Sequence, residues 1–228
     1  MRSLKVDFHI HTGEDPKDRD IEYSAKELLD AAAKHGFQAL TIANHGAVLY
    51  TQELRDYASQ CGILLIPGTE AKIEGKHVLI VNCKAPCPKN LKLSDVRAHV
   101  GEQALIIAPH PFYPRPYCLQ DELERHIHQF DAIEYAHLHF RFFNLNKQAV
   151  LLAHKYHLPL VGTSDAHSLR QLHTTYTLVD VEDVTIPAIV DAVRAHNVRV
   201  VTRPLSVWIF LERSVYYLWG RLRKQDQA

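Results

Sequence analysis

The sequence predicts an α/β fold whose mostly parallel sheet closes as a barrel. Three observations lead there. Apolar, β-branched runs alternate with amphipathic helical runs through most of the chain, and the connections between them are short. The strand-like runs are apolar almost without interruption, as strands buried on both faces are. Six of those runs end on or beside a His, Asp or Glu, so the ionisable residues recur at one end of the strands.

The first strand is read over Leu4–His9, and a polar loop leads to the helix SAKELLDAAAKHG. Ser24 with Glu27 three residues on forms a capping box, Leu28, Leu29 and Ala32 line one face, and Gly36 ends the helix. ALTIANH is the second strand, followed by a helix from Thr51 to Gln60 that Gly62 stops. ILLIPGTEAKI and HVLIVNC are strands separated only by a short Gly-containing turn, a local hairpin in an otherwise β/α pattern. The remaining run is helix LSDVRAHVGEQ, strand ALIIAPH, helix DELERHIHQF, strand DAIEYAH, helix NLNKQAVLLAHKYH, strand LPLVGTSDAH, a further strand in TTYTLVDV, helix TIPAIVDAVRAHN and strand RVVT. Pro187 suits the first turn of the last helix.

With 228 residues and 46% hydrophobic content the chain can bury one substantial core, and no repeat or linker divides it. Residues 1–204 read as one barrel domain. Residues 205–228 read as an apolar, aromatic helix and a basic tail packed on it, with a peripheral membrane or partner contact through 205–220 as the other reading. Lys+Arg and Asp+Glu balance at 26 each, which gives no strong nucleic-acid footprint. The opening residues do not read as a signal peptide, and no apolar run reaches the length of a transmembrane segment. The expected location is therefore cytoplasmic, with the four cysteines as reduced thiols; a Cys83–Cys87 disulfide or zinc pairing is the less favoured reading.

The 16 histidines carry the functional signal. His9 and His11 end the first strand and His45 the second; Glu70 lies at the bend of the third, and His77 opens the next. His110 ends ALIIAPH, Glu134 and His137 end DAIEYAH, and Asp165 and His167 end LPLVGTSDAH. Ligands bind at the carboxyl edge of parallel α/β sheets because the βα loops converge there. Side chains two apart on a strand point the same way, so His9 with His11, and Asp165 with His167, can each serve one ion. Imidazole and carboxylate suit zinc, manganese or iron, and a carboxylate such as Glu70 can bridge two ions. Ions held close together lower the pKa of water and neutralise phosphoryl oxygens, the logic of phosphate-ester hydrolysis. Glu134 is read as a ligand, an orienting group behind one, or a barrel-mouth ion pair.

The pieces DFHIHT, TIANHG, PGTEAKI, KHVLI, IIAPHP, DAIEYAH and GTSDAH, in that order, resemble the PHP domain (polymerase and histidinol phosphatase) over residues 4 to 203. The resemblance implies a distorted, seven-stranded (β/α)7 TIM-like barrel with up to three metals at its carboxyl face. By position it implies His9, His11, Glu70 and Asp165 at a first metal, with Glu70 bridging, His77 and His110 at a second, and His45 and His167 at a third. The third also needs an acid from the loop HIHTGEDPKDRD, which departs from the family's H-x-H-T-x-x-S-D-G. Asp15 is favoured, Asp20 is the alternative, and Glu14 and Asp18 are less favoured. Asn44 stands where relatives carry Asp and is read as orienting a ligand.

The expected function is hydrolysis of a phosphate ester by a metal-activated hydroxide, with two or three divalent ions as cofactor. A small phosphomonoester is the favoured substrate and a nucleotide or oligonucleotide end the alternative. His137 is the candidate for contact with substrate or leaving group, and Arg115 and Arg170, just past ligand-bearing strand ends, are candidate phosphate clamps. The non-enzymatic rival is a metal-stabilised barrel acting as a binding or scaffold module.

Overall fold

β1 (Arg2–Ile10) is buried from Leu4 onward, as a strand covered on both faces must be. It pairs in parallel with β2 (Ala39–Ile42), and β2 pairs in parallel with β3 (Leu64–Ile73). The crossovers are α1 (Ala25–Lys34) and α2 (Gln52–Gln60). Ser24 and Glu27 form both halves of the capping box on α1, and Thr51 caps α2. This is a computed structural model, and it describes residues 1–137, 139–140 and 143–204. The C-terminal helix and basic tail expected over 205–228 lie outside the described residues.

β4 (Lys76–Val81) runs antiparallel to β3 and to β5 (Leu105–Ala108). The reversal is local: Glu74 and Gly75 both take positive φ, 48° and 83°, the conformation a two-residue hairpin turn demands. β5, β6 (Ala132–Ala136) and β9 (Leu160–Thr163) are parallel neighbours. α5 (Lys147–Tyr156) lies between β6 and β9 in the chain; β7 (His139–Phe140) and β8 (Phe143–Asn144) form a separate ribbon before it. α3 (Val96–Val100) and α4 (Asp121–Arg125) are shorter than the sequence pattern predicts, because part of each run is a 3₁₀ turn, Leu93–Asp95 before α3 and Ile127–Gln129 after α4. β10 (Thr175–Val181) and β11 (Val198–Thr202) are antiparallel, joined by α6 (Ile186–Arg194) with Pro187 in its first turn.

The strand order is β11-β10-β1-β2-β3-β4-β5-β6-β9. The sheet curls until β9 packs against β11, β10 and β1. At that seam His11 N–H donates to Ala166 O at 3.2 Å and the Thr177 hydroxyl to Gly162 O at 2.8 Å. The architecture is the expected barrel-like α/β fold, but among the described residues the sheet has nine strands where seven β/α units were expected. The hairpin at Gly75 and the helix-free loop before β10 account for the antiparallel strands, since only a crossover returns a chain in parallel.

One buried cluster draws on nearly every strand of this sheet: Val6 and Phe8, Ile66, Leu79, Ile107, Ala132, Val161 and Val179, with Ile189 and Val193 of α6 against them. That set marks the barrel interior. Ile10, Leu40 and Ile42 belong instead to the cluster with Leu28 and Leu29 of α1, outside the sheet. Val6, Phe8 and Ile10 share a strand parity yet end on opposite faces. The register explains it: Asp7 pairs with Leu40 and Ile10 with Ile42, one residue more on β1 than on β2, which is a β-bulge. Beyond the bulge His9 and His11 turn inward, whereas Asp7, opposite the outward Leu40, does not share their face. Among the described residues no helix is long and apolar enough to cross a membrane.

Candidate metal centre

Glu70 is the hub of a buried cluster at the carboxyl end of the barrel. Its Oε1 lies 2.7 Å from His77 Nδ1, 3.0 Å from His110 Nε2 and 3.6 Å from His9 Nε2. Its Oε2 lies 2.9 Å from His45 Nε2 and 3.6 Å from His11 Nε2. The β2–β3 pairing carries it there: beyond the last strand pairs, Glu70 N–H donates to Ala43 O and Gly46 N–H to Glu70 O, joining His45 and Glu70 in a parallel bridge. Two residues earlier on the same face is Gly68, where a Cβ would meet Thr41 Cγ2 at 2.3 Å and Ile80 O at 2.9 Å. Only glycine lets β2, β3 and β4 approach so closely beneath the hub.

His9 and His11, placed by the bulge, bring their Nε2 atoms to 3.1 Å from one another and to 3.7 and 3.4 Å from Asp165 Oδ1. Two lone-pair-bearing imidazole nitrogens this close, with two carboxylates facing them, fit a shared divalent cation. Asp165 and His110 both adopt positive φ, 43° and 28°, a strained conformation for residues other than glycine and one that recurs at functional sites. A third group forms at the rim. His45 Nδ1 lies 3.0 Å from Asp15 Oδ2 and 3.3 Å from Asp18 Oδ2, and Asp18 Oδ2 is 3.0 Å from His167 Nε2. Donor atoms of His9, His11 and Glu70, of His45, Glu70 and His77, of His11, Asp15, Asp18 and His45, and of His11, Asp165 and His167 each lie close enough together to hold one ion.

Behind several imidazoles stands a second polar group. Glu134 Oε2 is 3.3 Å from His9 Nδ1 and accepts from the His110 amide at 2.8 Å, while its Oε1 accepts from the Thr163 hydroxyl. Asp15 Oδ2 is 2.9 Å from His11 Nδ1, and Cys118 Sγ is 3.3 Å from His110 Nδ1. Tyr117 stacks on His77 with ring centroids 4.4 Å apart, and Tyr113 on His110 at 5.7 Å. Asn44 ties down the chain after His11: its Oδ1 accepts from the Thr12 amide at 3.0 Å and its amide donates to Thr12 Oγ1.

Burial alone would raise the carboxyls and lower the imidazoles, and their mutual attraction outweighs it. Glu70, faced by His9, His110, His45 and His77, and Asp165, faced by His9 and His167, are held well below the usual carboxylate range. Against the pull of burial, Glu134, Glu70 and Asp165 hold His9 well above its ordinary value, and Cys118, Glu70 and Glu134 do the same for His110. His45, against the same penalty, is raised to about 10 by Asp15 and Glu70. His77 goes the other way, because burial and the nearby His110 and His45 outweigh Glu70. Asp7 is pushed up to about 7 by burial.

The structure brings together His9, His11, Asp15, His45, Glu70, His77, His110, Asp165 and His167. Among the loop acids, Asp18 joins Asp15 in the rim group, Glu14 instead accepts from the Ala25 amide at the start of α1, and Asp20 is exposed. The acid that reaches His167 is thus Asp18, which the sequence pattern favours less. His137 follows β6 and is 1% exposed; Arg115 and Arg170 are exposed, on the loops after β5 and β9. Cys118 and Tyr117 escape sequence reasoning. Their only signal is a Pro-rich loop directly after a ligand-bearing strand.

A family model described as PHP-associated matches residues 144–198, a span containing Asp165 and His167. The chain is 25% identical over 128 residues to the uncharacterized protein MJ1587 of Methanocaldococcus jannaschii, covering 53% of this chain and 75% of that protein. In fold it is similar to a two-domain protein of Bacteroides vulgatus containing a predicted PHP-like metal-dependent phosphoesterase, with a TM-score of 0.71 and 20% identity over 89% of this chain. This chain spans 65% of the length of that protein. It is also similar to the lesion-specific endonuclease PfuEndoQ of Pyrococcus furiosus, with a TM-score of 0.60 and 16% identity, covering 87% of this chain and 58% of that one.

Proposed function

We propose that this chain is a PHP-domain protein and hydrolyses a phosphate ester with divalent metal ions held at the carboxyl end of its barrel, a reading supported by the PHP-associated match and the fold likeness. The observation that carries the reading is Glu70: one buried carboxylate whose two oxygens face five imidazoles. A purely structural core would gain nothing from so many buried ionisable groups, since each costs desolvation that apolar packing avoids.

His9, His11, Glu70 and Asp165 would hold a first ion, Glu70 with His77 and His110 a second, and His45, His167 and Asp18 or Asp15 a third. Divalent zinc, manganese or iron supplies Lewis acidity, acidifying water and drawing charge off phosphoryl oxygens. The protein's own contribution is to fix donor geometry: Glu134 orients His9, and Asp15 orients His11 and His45. Arg115 and Arg170, exposed on the loops after β5 and β9, serve as clamps for the outer phosphoryl oxygens. His137 acts on the leaving-group side.

A small phosphomonoester is the favoured substrate, supported by a net charge of zero that offers no field for a polyanion. The fold likeness to an endonuclease supports a second reading, a nucleotide or oligonucleotide end. Metal analysis of the purified protein, combined with a panel of sugar, amino-alcohol, nucleotide and oligonucleotide phosphates, tests both. His9→Ala and Asp165→Asn are expected to lose bound metal and hydrolysis together. If both variants kept full metal content and full activity, the assignment would be wrong.

A further inference from the structure

The imidazoles of the cluster are not backed alike. His9 has the Glu134 carboxylate at 3.3 Å from Nδ1, and His11 has Asp15 at 2.9 Å. His110 has a thiol: Cys118 Sγ, with Cys118 fully buried, lies 3.3 Å from its Nδ1. His110 turns its other nitrogen, Nε2, towards Glu70 Oε1 at 3.0 Å, the side on which an ion would sit. A neutral imidazole that offers Nε2 as a lone pair carries its proton on Nδ1, so that N–H donates to sulfur, a weak acceptor.

The thiol is held in place by its loop. Between Pro111 and Gln120 the chain carries Pro114 and Pro116, and the Gln120 amide donates back to Pro111 O at 2.9 Å. The Cys118 amide donates to Arg115 O at 3.1 Å. Lys76 Nζ donates to Pro116 O and Cys118 O at 3.0 and 2.9 Å, and the His77 amide to Tyr117 O at 2.8 Å. The loop that supplies Cys118 is therefore anchored to the start of β4, the strand that supplies His77. Both imidazoles assigned to the second ion depend on it.

Resting on the metal-dependent reading above, we infer that Cys118 is a positioning residue for His110. Its thiol makes the ion shared by Glu70, His77 and His110 more readily exchanged than the ion of His9 and His11, whose imidazoles are backed by carboxylates. A carboxylate acceptor strengthens the imidazole in front of it as a donor, and such partners typically change metal affinity about 10- to 100-fold. Sulfur gives less of that support. It fixes the ring without making it a strong donor.

The test is stepwise removal of metal by a chromophoric chelator from the reconstituted full-length protein, read as ions released per chain. Cys118→Val and Cys118→Ser are compared with wild type, and thermal melts of the chelated proteins monitor the fold. Valine keeps the apolar volume without an acceptor, whereas serine restores an acceptor oxygen. Wild type is expected to release its ions in steps. Cys118→Val should move one step alone to lower chelator, by no more than about tenfold, the low end of what such partners contribute, with the other steps unchanged. Cys118→Ser should stay near wild type. Release curves that coincide for valine and wild type overturn the inference, as does an equal shift in valine and serine, which reports packing alone. A wild-type protein that takes up no ion sinks the metal reading and this inference with it. Uptake of ions with an unmoved valine curve sinks this inference alone.

Discussion

Asp15 Oδ1 accepts from the amides of Lys17 and Asp18 at 2.8 and 3.3 Å, while its Oδ2 faces His11, His45 and the His45 amide. Both oxygens are committed to shaping the loop and steadying imidazoles. Asp18 Oδ2 has His45 and His167 before it instead. If Asp18 is the acid of the third ion, Asp18→Asn should release one ion per chain at least about tenfold more readily, and Asp20→Asn should leave the stoichiometry unchanged. Quantitative metal analysis across a chelator series reads this directly; an Asp20 variant that loses the ion while Asp18→Asn keeps it would reverse the roles. The loop also marks where sequence reasoning stops. His9 with His11, and Asp165 with His167, were legible because residues two apart on a strand point together. No periodicity governs HIHTGEDPKDRD. Which acid turns inward depends on a turn that Asp15 itself caps, and distance along the chain is a poor guide to it. Cys118 was hidden for the same reason: eight residues past His110, it returns to that ring only because its Pro-rich loop folds back.

At the scale of single elements, β1 and β3 each solve a placement problem in a different way. On β1 the bulge transfers His9 and His11 to the interior while Phe8 stays in the core. The sequence shows the alternation but not the extra residue, so the strand was readable and its inward turn was not. On β3 the device is Gly68, which lets Thr41 and the backbone of β4 close in two residues before Glu70. Adding a methyl there overpacks the barrel interior. Gly68→Ala is expected to cost about 1–3 kcal/mol of stability, measured from the midpoint and slope of urea unfolding. Because the displaced segment carries Glu70, metal uptake should weaken as well. The contact with Thr41 Cγ2 can be relieved separately: adding Thr41→Ser should recover part of the loss, leaving the share due to Ile80 O. A Gly68→Ala variant as stable as wild type would show that the three strands have room to spare.

Across the whole molecule, the cluster couples metal, protons and folding. Without metal the site balances its own charge, through imidazoles raised by carboxylates and carboxyls depressed by imidazoles. Each raised imidazole contributes stability that is fully present below its unfolded pKa of about 6.5 and lost as pH rises through its folded value. For His45 that window extends up to about 10. The depressed carboxyls contribute above their unfolded range near pH 4 and lose that contribution as pH falls. The chelated protein should therefore lose part of this stability between about pH 6 and about pH 8, where the unfolded histidines have given up their protons and the folded ones have not. Metal acts in the opposite sense. To bind, it must displace protons from His9, His45 and His110, so its affinity rises with pH, and its stabilising effect rises with that affinity. Each proton displaced adds roughly 1.4 kcal/mol of metal-dependent stability per pH unit. The gap in Tm between manganese-loaded and chelated protein should widen from about pH 6 to about pH 8. A gap that stays constant or narrows would mean that the imidazoles are already neutral in the chelated protein, and that the carboxylates around Glu70 do not hold the protons the geometry assigns to them.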